Sequence, residues 1–273
     1  MSALIEQLKE TAAYIRKNYN AAPSIGIILG SGLGNFIKEL KVESEISYSD
    51  IPHFPVSTVE GHEGKLILGE INGKKVVAMA GRFHFYEGYQ ANKVIYPVRV
   101  MKMLGVETLL ISNAAGGVNP NFAVGDLMII KDHISFFVHN PLVGKNEDHL
   151  GPRFPDMSEA YSLAIIAKAK SIAERLQIPV HTGVYTGVTG PTFETRSEYK
   201  LIKALGGDAV GMSTVQEVIA AVHCHMKVFA ISVITDLGIR DDDNIITHEE
   251  VLQAAKDAEP KLTSIFTNLI NEL

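Results

Sequence analysis

The sequence predicts an α/β sandwich, a mainly parallel sheet covered by helices, on three observations. Strand-like and helical runs alternate along almost all of the 273 residues. The strand-like runs are apolar on both faces, as the interior of a covered parallel sheet requires. Hydroxyl-x-x-acid or amide spacings stand where helices should begin. Composition agrees: 46% hydrophobic and 21% charged is globular, neither disordered nor fibrous.

Taken in order, the N-terminal run Ser2–Tyr19 reads as an amphipathic, charged helix without the apolar centre of a signal peptide. Strands are expected at Ile25–Leu29, Val76–Ala80, Thr108–Ser112, Leu127–Ile130, Thr182–Val188 and Val228–Thr235, all rich in Val and Ile. Helical patterns occupy Asn92–Leu104, Ser158–Leu176, Ser197–Leu205, Thr214–His225 and Glu249–Leu273. Capping boxes are expected at Thr195/Glu198, Ser213/Gln216 and Thr247/Glu250. Residues 136–156, with three prolines and mixed charge, read as a long loop, a type that usually forms a lid, binding loop or interface. Nothing marks a domain boundary.

Several function classes fall away. The longest apolar runs are far short of the roughly 18 residues of a membrane helix. A net charge of −6 argues against a nucleic-acid surface. One cysteine, Cys224, excludes an internal disulfide and any cysteine-built metal cluster. A cytoplasmic protein is expected. His223-Cys224-His225 looks metal-like, but neighbours on a helix face different ways. Asp241-Asp242-Asp243 reads most simply as a solvated acidic turn.

The candidate chemistry sits at strand ends and helix starts, where ligands bind in open α/β sheets. Gly30-Ser31-Gly32-Leu33-Gly34 could cradle a phosphate or merely turn the chain. A dinucleotide fingerprint would need glycine at Asn35, and the ending of a nucleotide-triphosphate loop is absent. Arg82 and His84, two apart after a strand, point to one side and suit an anion, though an Arg paired with an acid is the plain alternative. Asn113-Ala114-Ala115-Gly116-Gly117 leaves backbone amides open to a ligand, or is a tight turn. In Gly190-Pro191-Thr192-Phe193-Glu194-Thr195, Phe193 could stack on a flat ligand and Glu194 accept from it, or Glu194 could be a helix-start acid. Ser213 opens a helix, a position that suits both an N-cap and an anion site. Asp236, ending the most apolar strand, is costly unless paired or used.

Jointly these segments resemble the trimeric, low-molecular-mass purine nucleoside phosphorylases. The matching stretches are GSGLG (30–34), EGHEGKL (60–66), GRFHFYEGY (81–89), SNAAGGVNP (112–120), GPRFPDMSEAY (151–161), GPTFET (190–195), GMSTVQEV (211–218) and ITHEEVL (246–252), covering residue 20 to the C-terminus. The resemblance implies one domain over residues 1–273, a three-layer sandwich with a mixed, mainly parallel sheet. It implies a pentosyltransferase of purine salvage, cleaving (deoxy)inosine and (deoxy)guanosine with phosphate. Phosphate would meet Ser31, His62, Arg82, His84, the backbone at Ala114, and Ser213. The nucleoside would meet Tyr86, Tyr185, Phe193, Glu194, Met212, Asp236 and His248, with Phe154 reaching in from a neighbouring subunit of a homotrimer. Glu194, Asp236 and His84 would carry the catalysis. No metal or organic cofactor is implied; inorganic phosphate is a co-substrate.

One position departs from the mammalian pattern, where Asn follows the Thr of this strand; here it is Asp236. The methylthioadenosine phosphorylases carry Asp there but lack the Glu of FET, which is present as Glu194. Glu194 therefore places the chain with the 6-oxopurine enzymes, and Asp236 bears on the choice of base. The other classes considered are a nicotinamide-dependent oxidoreductase, whose fingerprint is broken at Asn35, and a nucleoside-binding protein without catalysis.

Overall fold

A computed structural model describes residues 2–56, 64–239 and 247–273. Helix α1 (Ala3–Asn18) starts where the Ser2 hydroxyl accepts from the Ile5 N–H, and buries Ile5, Leu8, Ala12 and Ile15 along one face. Strand β1 (Ile25–Ile28) follows, buried at every residue. Then come β2 (Lys41–Ser47), β3 (Lys65–Ile71) and β4 (Lys74–Ala80), an antiparallel set beside β1. Asn72 and Gly73 join β3 to β4 with φ of 49° and 83°, the two positive angles of a type I′ hairpin turn.

The predicted helix over 92–104 is two helices, α2 (Ala91–Val94) and α3 (Tyr96–Leu104). Pro97 has no N–H for the Lys93 carbonyl, and its ring crowds that carbonyl, so the chain breaks at Ile95. Strands β5 (Thr108–Gly117) and β6 (Leu127–Ile134) precede the long irregular stretch that contains residues 136–156. Helix α4 (Leu163–Arg175) begins five residues after the expected Ser158. There the Asp156 carboxylate accepts from the Ser158 N–H and hydroxyl, holding that segment in a turn. The remaining elements are β7 (Val180–Gly187), α5 (Arg196–Ala204), β8 (Ala209–Gly211), α6 (Val215–His223), β9 (Lys227–Leu237) and α7 (His248–Glu272).

These nine strands form one mixed sheet in the order β2-β3-β4-β1-β5-β8-β7-β6-β9, with β9 pairing back onto β5. β4, β1, β5 and β9 run parallel, as do β6-β7-β8, while β2-β3-β4, β5-β8 and β6-β9 are antiparallel. The five strands β5, β8, β7, β6 and β9 therefore close into a ring. Helix α7 packs on β9, β5 and β3 with α4 beside it, and α6 packs on β9 with α3 and α1 beyond. The result is an α/β sandwich with a mixed sheet between helical layers. The expected strands all form. β2, β3 and β8 were not foreseen: β2 is charged and mostly exposed, and β8 is three residues long.

Candidate active site

The C-terminal ends of β1, β4, β5 and β9 and the segment after β8 surround a cavity of about 570 Å³. It is lined by Ser31, Arg82, His84, Tyr86, Ala114 and Ser213, and by Phe193, Glu194, Met212, Asp236 and His248. Sequence positions as distant as 31 and 248 thus share one wall. Ser31 reaches it from the turn after β1. Gly32 there adopts φ 75°, and a Cβ would press on Ala255 of α7 at 2.9 Å, so only glycine admits this approach. Asn35, the residue that breaks the dinucleotide fingerprint, ties the same turn to α7. Its backbone and side-chain N–H groups donate to the buried Glu259 carboxylate at 2.6 and 2.8 Å.

Arg82, 1% exposed, is held by a residue the sequence reading did not single out. The Glu217 carboxylate accepts from Arg82 Nε at 3.1 Å and Nη2 at 2.9 Å. Arg82 Nη1 donates to the Ser112 carbonyl at 2.8 Å and the Ser213 hydroxyl at 3.2 Å. Glu217 lies in the first turn of α6 and looks like an ordinary helix-start acid, so only the fold reveals its partner. Ser213 is not the N-cap its spacing suggested. Thr214 holds that place at φ 69°, an unfavourable angle for a β-branched residue, pinned by Asn113 Nδ2 on its hydroxyl at 2.8 Å. The Ser213 hydroxyl is turned to Arg82 instead, and Gln216 donates to the His139 carbonyl.

His84 stacks on Tyr86 with ring centroids 4.6 Å apart, and its Nδ1 meets the Glu87 carboxylate at 3.1 Å. Burial holds the imidazole pKa below its ordinary value, outweighing Glu87. A neutral ring donating from Nδ1 to Glu87 leaves Nε2 as an acceptor. At the far end, Phe193 and Glu194 follow Gly190-Pro191, and Asp236 ends β9 with its Oδ1 accepting from the Thr235 hydroxyl at 3.1 Å. Gly116 makes room for this: a Cβ there would lie 2.9 Å from Asp236 Oδ2. The Glu194 carboxyl is raised by burial first, with the Asp236 charge adding to it. Tyr199, another residue not singled out, is buried behind them. Its hydroxyl is pushed well up by burial and then by Glu194 and Asp236.

One expected contact, Tyr185, does not line this cavity. Tyr185 is fully buried behind the wall; its hydroxyl accepts from the Ser213 N–H at 3.4 Å, and burial pushes its pKa to about 12. It supports the cavity without lining it. Phe154 is 86% exposed and lines a different hollow beside His133 and Arg153. His62 and the acidic turn at 241–243 lie outside the described residues. Among the described residues no group of three or more His, Cys, Asp or Glu could hold a metal ion. No described helix is long and apolar enough to cross a membrane.

Fold and site define an α/β protein whose cavity joins an end lined by Arg82, His84 and two serines to an end walled by an aromatic ring and two carboxyl groups. A sequence model of the phosphorylase superfamily matches residues 24–271. The chain is 52% identical to purine nucleoside phosphorylase 1 of Bacillus subtilis, over 92% of this chain and 93% of that one. It is 47% identical to the purine nucleoside phosphorylase of Bos taurus, over 97% and 94%. A Schistosoma mansoni purine nucleoside phosphorylase solved in complex with adenosine superposes with a TM-score of 0.95 at 43% identity, covering 100% of this chain and 99% of that one. The chain belongs to the phosphorylase superfamily, among the purine nucleoside phosphorylases.

Proposed function

We propose that this protein is a purine nucleoside phosphorylase of purine salvage, a single domain over residues 1–273. It reversibly cleaves (deoxy)inosine and (deoxy)guanosine with inorganic phosphate to free base and (deoxy)ribose 1-phosphate. One observation carries the reading: Arg82, His84 and Ser213 open into the same cavity as Phe193, Glu194 and Asp236. Relatives point the same way, since Schistosoma mansoni enzymes have been solved with hypoxanthine, with inosine and with ribose 1-phosphate.

Phosphate sits against Ser31, Arg82, His84, the Ala114 amide and Ser213, with His62 as a further contact. The sugar lies over Tyr86 and Met212 with His248 at its 5′ end. The base stacks on Phe193 between Glu194 and Asp236. As the glycosidic bond lengthens, C1′ gains positive charge and the purine negative charge. Phosphate beneath the sugar stabilises the first and attacks C1′. The two carboxyls handle the second. Ionised Glu194 accepts from N1–H of a 6-oxopurine, while a protonated Asp236 donates to O6 or N7. Two carboxyls side by side hold one proton more readily than none. Hence 6-oxopurines are preferred over adenine. Catalysis needs no metal or organic cofactor, and the working form is a cytoplasmic homotrimer.

The test is release of hypoxanthine from inosine with and without phosphate. Release only with phosphate or arsenate is expected. Rapid hydrolysis in phosphate-free buffer would make it a hydrolase, and binding without release would make it a carrier.

A further inference from the structure

A guanidinium has five N–H bonds, and Arg82 has committed four. Two go to Glu217, one to the Ser112 carbonyl and one to the Ser213 hydroxyl. Among the described residues a single Nη2–H remains for a ligand. Glu217 is 3% exposed and does not line the cavity, so its carboxylate is spent on Arg82 alone. The two side chains form a planar, two-bond pair of zero net charge in the wall.

We propose that Glu217 is a positioning residue of the phosphate cradle: it cancels the Arg82 charge and fixes the guanidinium plane, so that phosphate is met mainly by uncharged donors. The inference rests on the phosphate reading above and deepens it. Its logic is electrostatic. A bare cation against phosphate would bind the ground state tightly and hold back the negative charge that must face the forming sugar cation. A neutral pair leaves that charge available. Arg82 then acts through what it holds: by donating to the Ser213 oxygen it leaves the Ser213 hydroxyl hydrogen to turn toward the ligand.

Kinetics at varied phosphate and saturating inosine separate this from binding by the Arg82 charge itself. Arg82→Met leaves Glu217 as a buried, unpaired anion, and the phosphate KM should rise at least about a hundredfold. Adding Glu217→Gln removes that anion, and phosphate KM should return to within about tenfold of the wild type while kcat stays low. A double variant as poor in phosphate KM as Arg82→Met alone would overturn the proposal. Glu217→Gln by itself should lower kcat about tenfold or more without raising phosphate or inosine KM. A rise in phosphate KM matching that of Arg82→Met would count against it. If these variants do not fold, Arg82→Lys decides, because it keeps the charge and loses the fork. Phosphate KM should stay within a few-fold and kcat fall at least about tenfold; unchanged kcat would refute positioning. A wild type without phosphate-dependent cleavage would instead defeat the functional reading, whatever the variants do.

Discussion

Asp236 is the residue on which the proposed choice of base turns. It shares the cavity with Glu194, and its carboxyl has room there because Gly116 has no side chain. The structure raises the Glu194 pKa by burial and by the Asp236 charge. In Asp236→Asn the new amide donates to O6 or N7 without needing the proton that Asp236 must carry for this. The expected outcome is full inosine cleavage and loss of any adenosine cleavage. An Asn variant that lost inosine but kept adenosine would refute the assignment. At this scale the sequence was informative where a polar residue ends an apolar strand, as at Arg82, Ser213 and Asp236. It was silent where the partner wears an ordinary disguise. Glu217 is indistinguishable from a dipole-favoured helix acid, and Tyr199 from an apolar helix residue.

Among the elements, α5 anchors the segment just before it, which brings Phe193 and Glu194 to the cavity. Glu194 directly precedes its N-cap, where the Thr195 hydroxyl accepts from the Glu198 N–H and the Glu198 carboxylate accepts from the Thr195 N–H. Thr195→Ala should cost about 1 kcal/mol of stability by urea unfolding. Because the loosened turn bears Glu194, the nucleoside KM should rise while the phosphate KM holds; equal rises in both would show that the cap serves the whole cavity. Capping at Thr195 and Thr247 was legible because hydroxyl and acid sit at the right spacing. Ser213 has the same spacing, yet Arg82, far away in sequence, takes its hydroxyl. Likewise β3 and its Asn72-Gly73 turn carried a hairpin signal that strand-by-strand reading passed over, and Pro97 marked a break inside a run that looked helical throughout.

For the whole molecule, the long loop and the imidazoles give two expectations. Phe154, Phe136 and Val143 are each more than four-fifths exposed on one stretch of chain. If Phe154 closes a neighbour's cavity, Phe154→Ala should raise the nucleoside KM about ten- to hundredfold, given about 1.5–3 kcal/mol for burying one such ring. Phosphate binding should hold, and sedimentation should show a trimer; a fully active monomer would contradict it. Burial depresses the pKa of His84, His133 and His223 below 6.5. Each then binds protons less readily folded than unfolded. Their contribution is present above the ordinary imidazole value and lost as pH falls below it. The urea midpoint should therefore fall between pH 8 and pH 5.5. Glu194 has the opposite sign, its share fading as pH rises above the usual carboxylate value, so a midpoint that climbed on acidification would show the imidazoles do not dominate.

The strand ring leaves the sheet with one open flank among the described residues, β2. That flank is interrupted between Val42 and Ser44 and carries Lys41, Glu43 and Glu45, with Glu43 and Glu45 paired to Lys75 and Lys65 on the strands behind. A foreign strand seeking to extend the sheet would meet a kinked border and would have to strip water from those charges.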